Sequence, residues 1–313
     1  MTNPKYFLRL TDTKEQSIFK AVLLLEKWLD NLLLSGISVL QQDSEKFTEI
    51  STRMLDLGLA GISKKLRLVP EKVQKSKDWT EFAILQISEL YLFIKLMNKI
   101  EHLNHLEKED LLNYAGIPFK KTDFTEDYYL QDDWLFIGNS REKEENLVII
   151  RNWFYGAHSG KLILYLEYQF NQFVQLKAFK LGSFYQATVQ FYPSVIFQRI
   201  RDMPVDNLIL GMERKLLSKT VEASLEEYIS IITLNPMIRQ FCFVLKDIKF
   251  TKSKEQWFIS SKGNQWVQIM NSEAEIVKML SYSSNKDFLI IGEYAETKFR
   301  VLAAVLDSII IPI

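Results

Sequence analysis

The sequence is poor in the residues that usually betray a mechanism. It has one cysteine, Cys242, in 313 residues, which excludes a disulfide framework and any cysteine-based zinc cluster. Eleven glycines and seven prolines are few for this length, which argues against collagenous, linker-rich or turn-repeat architectures. Charge of one sign is also missing: 39 basic residues face 39 acidic ones. The balance holds locally, with 16 against 16 in residues 1–116 and 12 against 12 in residues 117–217. A sequence-independent nucleic-acid binder needs a basic domain, because phosphate neutralisation drives its affinity. No third of this chain supplies one. No run of about 18 apolar residues is present, so no membrane span is expected. Residues 1–12 lack the apolar core of a secretory signal, which together with the single cysteine favours the cytoplasm.

What is present is a large apolar fraction, 47%, enough for a substantial core. Its periodicity changes once. Residues 13–115 carry helical spacing. Ile18, Val22, Leu25, Leu29 and Leu32 form one stripe, broadened by Phe19, Leu23 and Leu33, with Gly36 as the stop. A second helix is expected from the Asp43-Ser44 cap signal, through Phe47, Ile50, Met54, Leu57, Ile62 and Leu66, to Pro70. A third runs from Asp78-Trp79 to about Lys99, and a short fourth spans Lys108–Ala115. Antiparallel packing of three or four helices is the simple solution.

Beyond residue 117 the pattern becomes that of strands: Asp133–Gly138, Asn146–Tyr155, Lys161–Gln169, Phe173–Lys180 and Phe184–Phe191. Leu225–Ile232 reads as a helix. The last eighty residues read as strand, hairpin, helix, strand, strand, with Lys262-Gly263-Asn264 as the hairpin turn. The fold class is α+β: an N-terminal helical bundle, then an antiparallel-strand-rich region with a few short helices. The expected divisions are 1–116 helical, 117–217 β-rich and 218–313 an α+β subdomain packed on the β-rich part.

Few residues suggest chemistry. His102 and His105 would share a helix face if the third helix reached them, but a third metal ligand is lacking, and helix capping is the simpler role. His158-Ser159 lies in a turn with no nucleophile elbow around it. Gly58-Leu59-Ala60-Gly61 sits within a helical pattern and lacks the lysine of a phosphate loop. It reads as a small-residue patch for close helix approach. Asp132-Asp133 and Glu144-Glu145 are adjacent pairs that point apart on a strand. No catalytic, cofactor or metal set is expected. Two charge runs stand out. Residues 64–77 hold Lys64, Lys65, Arg67, Lys72, Lys75 and Lys77 against Glu71, and residues 123–145 hold eight acidic residues against two basic ones. Each reads as a solvated face or as a docking surface for another chain, or for nucleic acid at the basic one.

Several motifs fall in a familiar order. They are RMLDLGLAGISKKLR (53–67), Trp79 with the following LYLFIKL, DDWLFIG (132–138), and Arg151-x-Trp153-x-x-Gly156-x-x-Ser159-Gly160. Phe191-Tyr192-Pro193, Asn235-Pro236 and Gly292-Glu293-Tyr294 follow. The series resembles the long region C-terminal to the zinc module of bacterial SWIM zinc-finger family proteins. Such proteins carry a C-x-C…C-x-H module, for which this sequence has no ligands, so no zinc role carries over to any residue here. The resemblance implies a bacterial protein, either shortened, naturally module-free or one half of a split pair. It implies partners of three kinds: a SWIM-containing chain, a MoxR-type AAA+ ATPase and a von Willebrand A-domain protein.

Three functions follow as expectations: a non-enzymatic adaptor docking protein partners, a nucleic-acid accessory using residues 64–77, and an enzyme assembled from scattered charges. For the last, Arg53, Asp56 and Arg151 are the first suspects, and a structural ion-pair network joining helical and strand layers is the simpler role for them. Arg53 is expected to be buried and paired with Asp56 three residues on. Trp153 joins Arg151, Lys64, Lys65 and Arg67 among the structural or interaction candidates.

Overall fold

The computed structural model describes residues 5–36, 44–75, 79–124, 128–144, 146–170, 176–205, 208–209, 216–263, 265–282, 288–295 and 297–313. The chain divides into two compact units, Met1–Thr125 with Pro193–Val195, and Glu126–Tyr192 with Ile196–Ile313.

The first unit is helical. Its described helices are α1 (Asp12–Ser35), α2 (Ser44–Asp56), α3 (Ala60–Lys75), α4 (Trp79–Met97) and α5 (His105–Tyr114). Helix α1 packs on α2 and α4, and α3 packs on the same two, which closes a four-helix bundle; α5 lies against α3 and α4. The expected α1 stripe is buried: Ile18, Val22, Leu25, Leu29 and Leu32. Leu23 and Leu33, expected to widen it, face solvent instead. They sit on the polar side of a helix whose inward face is already filled.

The expected second helix is two helices. Gly58 adopts φ +90°, a conformation that costs a glycine little. Its N–H bonds the Leu55 carbonyl at 2.9 Å, and the Leu59 N–H bonds that of Met54 at 2.8 Å. This is a Schellman stop, sealed by contact-buried Met54 and Leu59. Gly61 does make the close approach expected of the small-residue patch. Its N–H donates to the Ala115 carbonyl at 2.9 Å, and a Cβ there would stand 2.6 Å from the Tyr114 oxygen. Pro70 does not end the run, because α3 continues through it to Lys75. The stripe of Ile62, Leu66, Val69 and Val73 is buried on both sides of Pro70, and that burial outweighs one missing backbone bond. Helix α5 begins earlier than expected, because Asn104 and Glu107 form a reciprocal capping box at its start.

The second unit holds two sheets. The first orders its strands β5-β3-β2-β1-β4-β6, from β1 (Tyr129–Glu144), β2 (Leu147–Gly156), β3 (Leu162–Phe170), β4 (Phe184–Gln190), β5 (Arg199–Ile200) and β6 (Leu208–Ile209). The second orders β7-β11-β12-β10-β9-β8, with β13 also on β12. These are β7 (Gln240–Leu245), β8 (Lys249–Ser253), β9 (Gln256–Ser260), β10 (Val267–Ile269), β11 (Leu289–Ala295), β12 (Lys298–Leu306) and β13 (Ile309–Pro312). Residues 117–217 thus supply one sheet and residues 218–313 the other. All pairings are antiparallel except β3 with β5 and β10 with β12. The expected strand Phe173–Lys180 is not one over residues 176–180, and residues 171–175 lie outside the described set. Phe179 instead packs over Phe154, Phe136 and Tyr185.

Alternation along the strands builds the layers. On β1, Leu135 and Ile137 point into the core shared with the second sheet, while Trp134 and Phe136 point to the far face. On β2, Trp153 and Tyr155 point in and Phe154 points out. Helices α6 (Val221–Leu234) and α7 (Glu273–Tyr282) cover the outer face of the second sheet. Among the described residues, no helix is long and apolar enough to cross a membrane.

Candidate interaction sites

On the helical unit, α1 and α2 leave an open groove of about 370 Å³ between them. Its floor is Leu24, Trp28, Leu32, Phe47 and Ile50. The Trp28 and Phe47 rings meet edge to face, 5.1 Å apart, a geometry worth roughly 0.5–1.5 kcal/mol beyond burial. Its rim carries Lys27, Lys46 and Arg53 with one carboxylate, Glu49.

Arg53 is therefore not buried. Its side chain is 54% exposed and pairs with Glu49 one turn earlier on the same helix. Asp56, its expected partner, is exposed. The expectation of a buried Arg53 fails because Ile50, Ser51 and Met54 take the inward positions of α2, which leaves Arg53 at the groove rim.

The basic run on α3 is less free than its composition suggests. Lys65 donates to Glu89 at 3.2 Å, and that carboxylate, buried on α4, also accepts from the Tyr114 hydroxyl at 3.3 Å. The Lys72 ammonium lies 4.6 Å from the centre of the Phe82 ring. Lys64 is half-buried and Arg67 exposed. Lys77 lies outside the described residues, as does the side chain of Lys75.

In the second unit, Arg151 and Trp153 converge on one carboxylate. Glu293 of β11 is 5% exposed and Arg151 of β2 is 9% exposed. Trp153 Nε1 donates to Glu293 Oε1 at 2.6 Å, and Arg151 Nε to the same oxygen at 3.2 Å. The Ser140 hydroxyl donates to Glu293 Oε2 at 2.7 Å, and Arg151 Nη1 reaches Glu142 at 2.8 Å. Both acidic partners of Arg151 lie in its own unit. The network expected to join helical and strand layers instead joins the two sheets. Cys242 sits opposite Glu293 on β7. Burial, then the Glu293 charge, pushes its thiol well above the usual range, so it is no nucleophile.

A second carboxylate organises the turn after β2. Asp132 accepts from the backbone N–H groups of Asp133 at 2.7 Å, His158 at 3.0 Å and Ser159 at 2.9 Å. Burial alone would raise its pKa. The Ser159 hydroxyl and these N–H groups outweigh that and hold it below the usual carboxylate value. Gly156 leaves room for this carboxylate, where a Cβ would overlap it. Asp133 points apart from Asp132, to His158 Nε2 at 2.8 Å. That hydrogen bond raises the His158 pKa. His158 is mostly exposed, and the Ser159 oxygen is committed to Asp132 and to the Lys161 N–H at 3.3 Å.

His102 and His105 do not share a helix face. His102 ends a short turn of helix, and His105 opens α5 beyond the Asn104 cap. Among the described residues, no group of three or more His, Cys, Asp or Glu side chains is gathered as a metal ion requires.

Residues 13–115 match the family model of the SWIM-associated four-helix bundle domain. Over that stretch the chain is similar to that helical domain. No curated protein and no solved structure matches the chain. The open groove lies wholly within the matched residues. The polar residues of the later motifs (Asp132, Arg151, Trp153, Ser159 and Glu293) lie outside them, and each bonds within the sheet unit. Sequence reasoning named Arg151 and Trp153 but missed Glu293 as their partner. The signal was the Gly292-Glu293-Tyr294 motif: a charge in the middle of an otherwise apolar strand needs a buried partner.

Proposed function

We propose that this protein is a non-enzymatic adaptor that holds protein partners together, with the SWIM-associated domain as its docking element. The observation that carries this reading is the open groove between α1 and α2, with an aromatic floor and a charged rim. An aromatic-lined cleft with a polar rim is the anatomy of a protein-binding hot spot. The family context supports partners in a bacterial cytoplasmic system: an AAA+ ATPase of the MoxR type, a von Willebrand A-domain protein or a chain bearing the SWIM module itself. Trp153, Arg151 and Asp132, the motif residues that could have suggested turnover, are committed to structural hydrogen bonds, which further supports a binding role.

The nucleic-acid reading keeps less support. Two of the cations it would need, Lys65 and Lys72, are engaged within the bundle, and the chain has no net charge.

The test is co-purification of the tagged full chain from its native host, followed by reconstitution of any recovered protein from pure components. The expected result is a complex of fixed stoichiometry that survives nuclease treatment. Recovery of the chain alone, or of a complex dissolved by nuclease, overturns the adaptor reading.

A further inference from the structure

We infer that Arg9 is a clasp by which the segment before α1 controls the order of the segment that leaves the helical unit: releasing residues 5–10 from the bundle frees residues 117–124. All of these residues belong to the helical unit, and the inference stands apart from the adaptor reading.

The segment before α1 is anchored by its own apolar residues. Phe7 and Leu10 are buried, and the Tyr6 and Phe7 rings lie against Phe19 of α1. The Tyr6 N–H donates to Glu15 at 2.8 Å. Arg9 therefore leaves a fixed backbone, and its side chain reaches residues a hundred or more positions later. Its Nε donates to Glu109 Oε2 of α5 at 2.7 Å, with the two side chains 9% and 3% exposed. Its Nη1 donates to the Pro118 carbonyl at 2.9 Å and lies 3.7 Å from Asp123. Its Nη2 donates to the Ile117 carbonyl at 3.4 Å. The guanidinium also lies 4.1 Å from the centre of the Phe119 ring, and that ring packs on Phe124.

Residues 117–124 have little regular structure of their own, a single turn at Lys121–Asp123. The hydrogen bonds at Lys120 and Asp123 close that turn on itself and do not reach the bundle. Those from Arg9 do. The rigid fork of a guanidinium suits this task. Glu109 holds Nε and so aims Nη1 and Nη2 at the two carbonyls, which the point charge of a lysine could not do. A buried guanidinium is tolerated only while its partners are in place. Either the fork is filled from both sides or it moves out to water, so the segment before α1, α5 and the exit segment are held or released together. The freedom of the stretch that leads on to β1 is thereby set at residue 9.

The test is amide hydrogen exchange of the full chain, read by mass spectrometry on peptides covering 117–124, with peptides of α1 and α4 as references. Arg9→Leu combined with Glu109→Leu removes both buried charges, so that neither is left unpaired. Exchange across 117–124 should rise by about tenfold or more, with α1 and α4 exchanging as in the parent. Phe7→Ala loosens the segment before α1 without touching any partner of Arg9. Exchange across 117–124 should rise in this variant too, together with that across residues 5–10. If the double leucine variant does not fold, Arg9→Lys takes its place with the same expected release. Protection of 117–124 that survives in the folded Arg9 variant shows that the segment is held by its own packing and overturns the proposal. Protection that survives in Phe7→Ala while residues 5–10 open overturns the coupling. A rise spread equally over α1 and α4 shows that Arg9 serves the whole bundle rather than the exit segment, and overturns it as well.

Discussion

The Trp153 indole and the Glu293 carboxylate meet at 2.6 Å in the core between two sheets, with Arg151 3.2 Å from the same oxygen. The contact explains two motifs at once, because Arg151-x-Trp153 and Gly292-Glu293 are distant in sequence and adjacent in space. A buried carboxylate is tolerated only when its hydrogen-bonding capacity is met. Trp153, Arg151 and Ser140 meet it here.

This cluster gives the first prediction. Glu293→Ala takes the acceptor from Trp153 Nε1 and Arg151 Nε and leaves Arg151 as acidic partner only the half-exposed Glu142, and should cost roughly 3–5 kcal/mol. Urea unfolding monitored by tryptophan fluorescence measures it. Arg151→Ala should cost a similar amount, and the double variant should cost clearly less than the two together, because the pair acts as a unit. Additive losses would show that the cluster is not coupled.

Arg53 predicts the opposite behaviour. Its ion pair with Glu49 is exposed and lies within one helix, so Arg53→Ala should cost no more than about 1 kcal/mol. The thermal melt should stay close to that of the parent. A drop as large as that of Arg151→Ala would place Arg53 in a buried role after all.

Lys65 distinguishes a structural cation from a phosphate-binding one. Glu89 is buried and accepts hydrogen bonds from Lys65 and Tyr114. Lys65→Ala should lower stability by roughly 1–3 kcal/mol, while the salt dependence of any weak DNA binding stays unchanged. A slope reduced by about one unit, with unchanged stability, would identify Lys65 as a phosphate contact.

These contrasts mark what periodicity could and could not reveal. The α1 stripe was legible because Ile18, Val22, Leu25, Leu29 and Leu32 repeat at three and four, and spacing is all that helical burial requires. The break after Asp56 was not, since the apolar spacing of Met54, Leu57 and Ile62 runs on through Gly58 and only its φ of +90° stops the helix. Pro70 misled for the converse reason. Its local cost is real, but Val69 and Val73 bury the helix on both sides of it. In the candidate groove, Arg53 was noticed from its motif, yet its direction depends on which α2 residues fill the bundle. Glu293 depends on contacts with Arg151 and Trp153 far away in the chain, and Asp132 and the groove on how neighbouring elements meet, which no local pattern encodes.

The final prediction concerns pH and the turn held by Asp132. In the folded state its pKa lies below the ordinary carboxylate value. Its contribution is therefore fully present above the unfolded value of about 3.9 and is lost as pH falls through the depressed folded value. His158 has the opposite sign. Its folded pKa is raised, first by the hydrogen bond to Asp133. Its contribution is fully present below the unfolded value of about 6.5 and is lost as pH rises through the raised folded value. The turn should thus be most stable between about pH 4 and pH 6.5. Stability by urea titration from acid to mildly basic pH, for the parent, Asp132→Asn and His158→Gln, separates the two groups. At neutral pH, Asp132→Asn should cost roughly 1–3 kcal/mol, because an amide nitrogen then faces backbone N–H donors. That difference should shrink only in acid, below the ordinary carboxylate range. The smaller difference for His158→Gln should shrink only as pH rises above the unfolded value of about 6.5. Differences that shrink at the opposite ends of the pH range would show that these hydrogen bonds do not hold the turn.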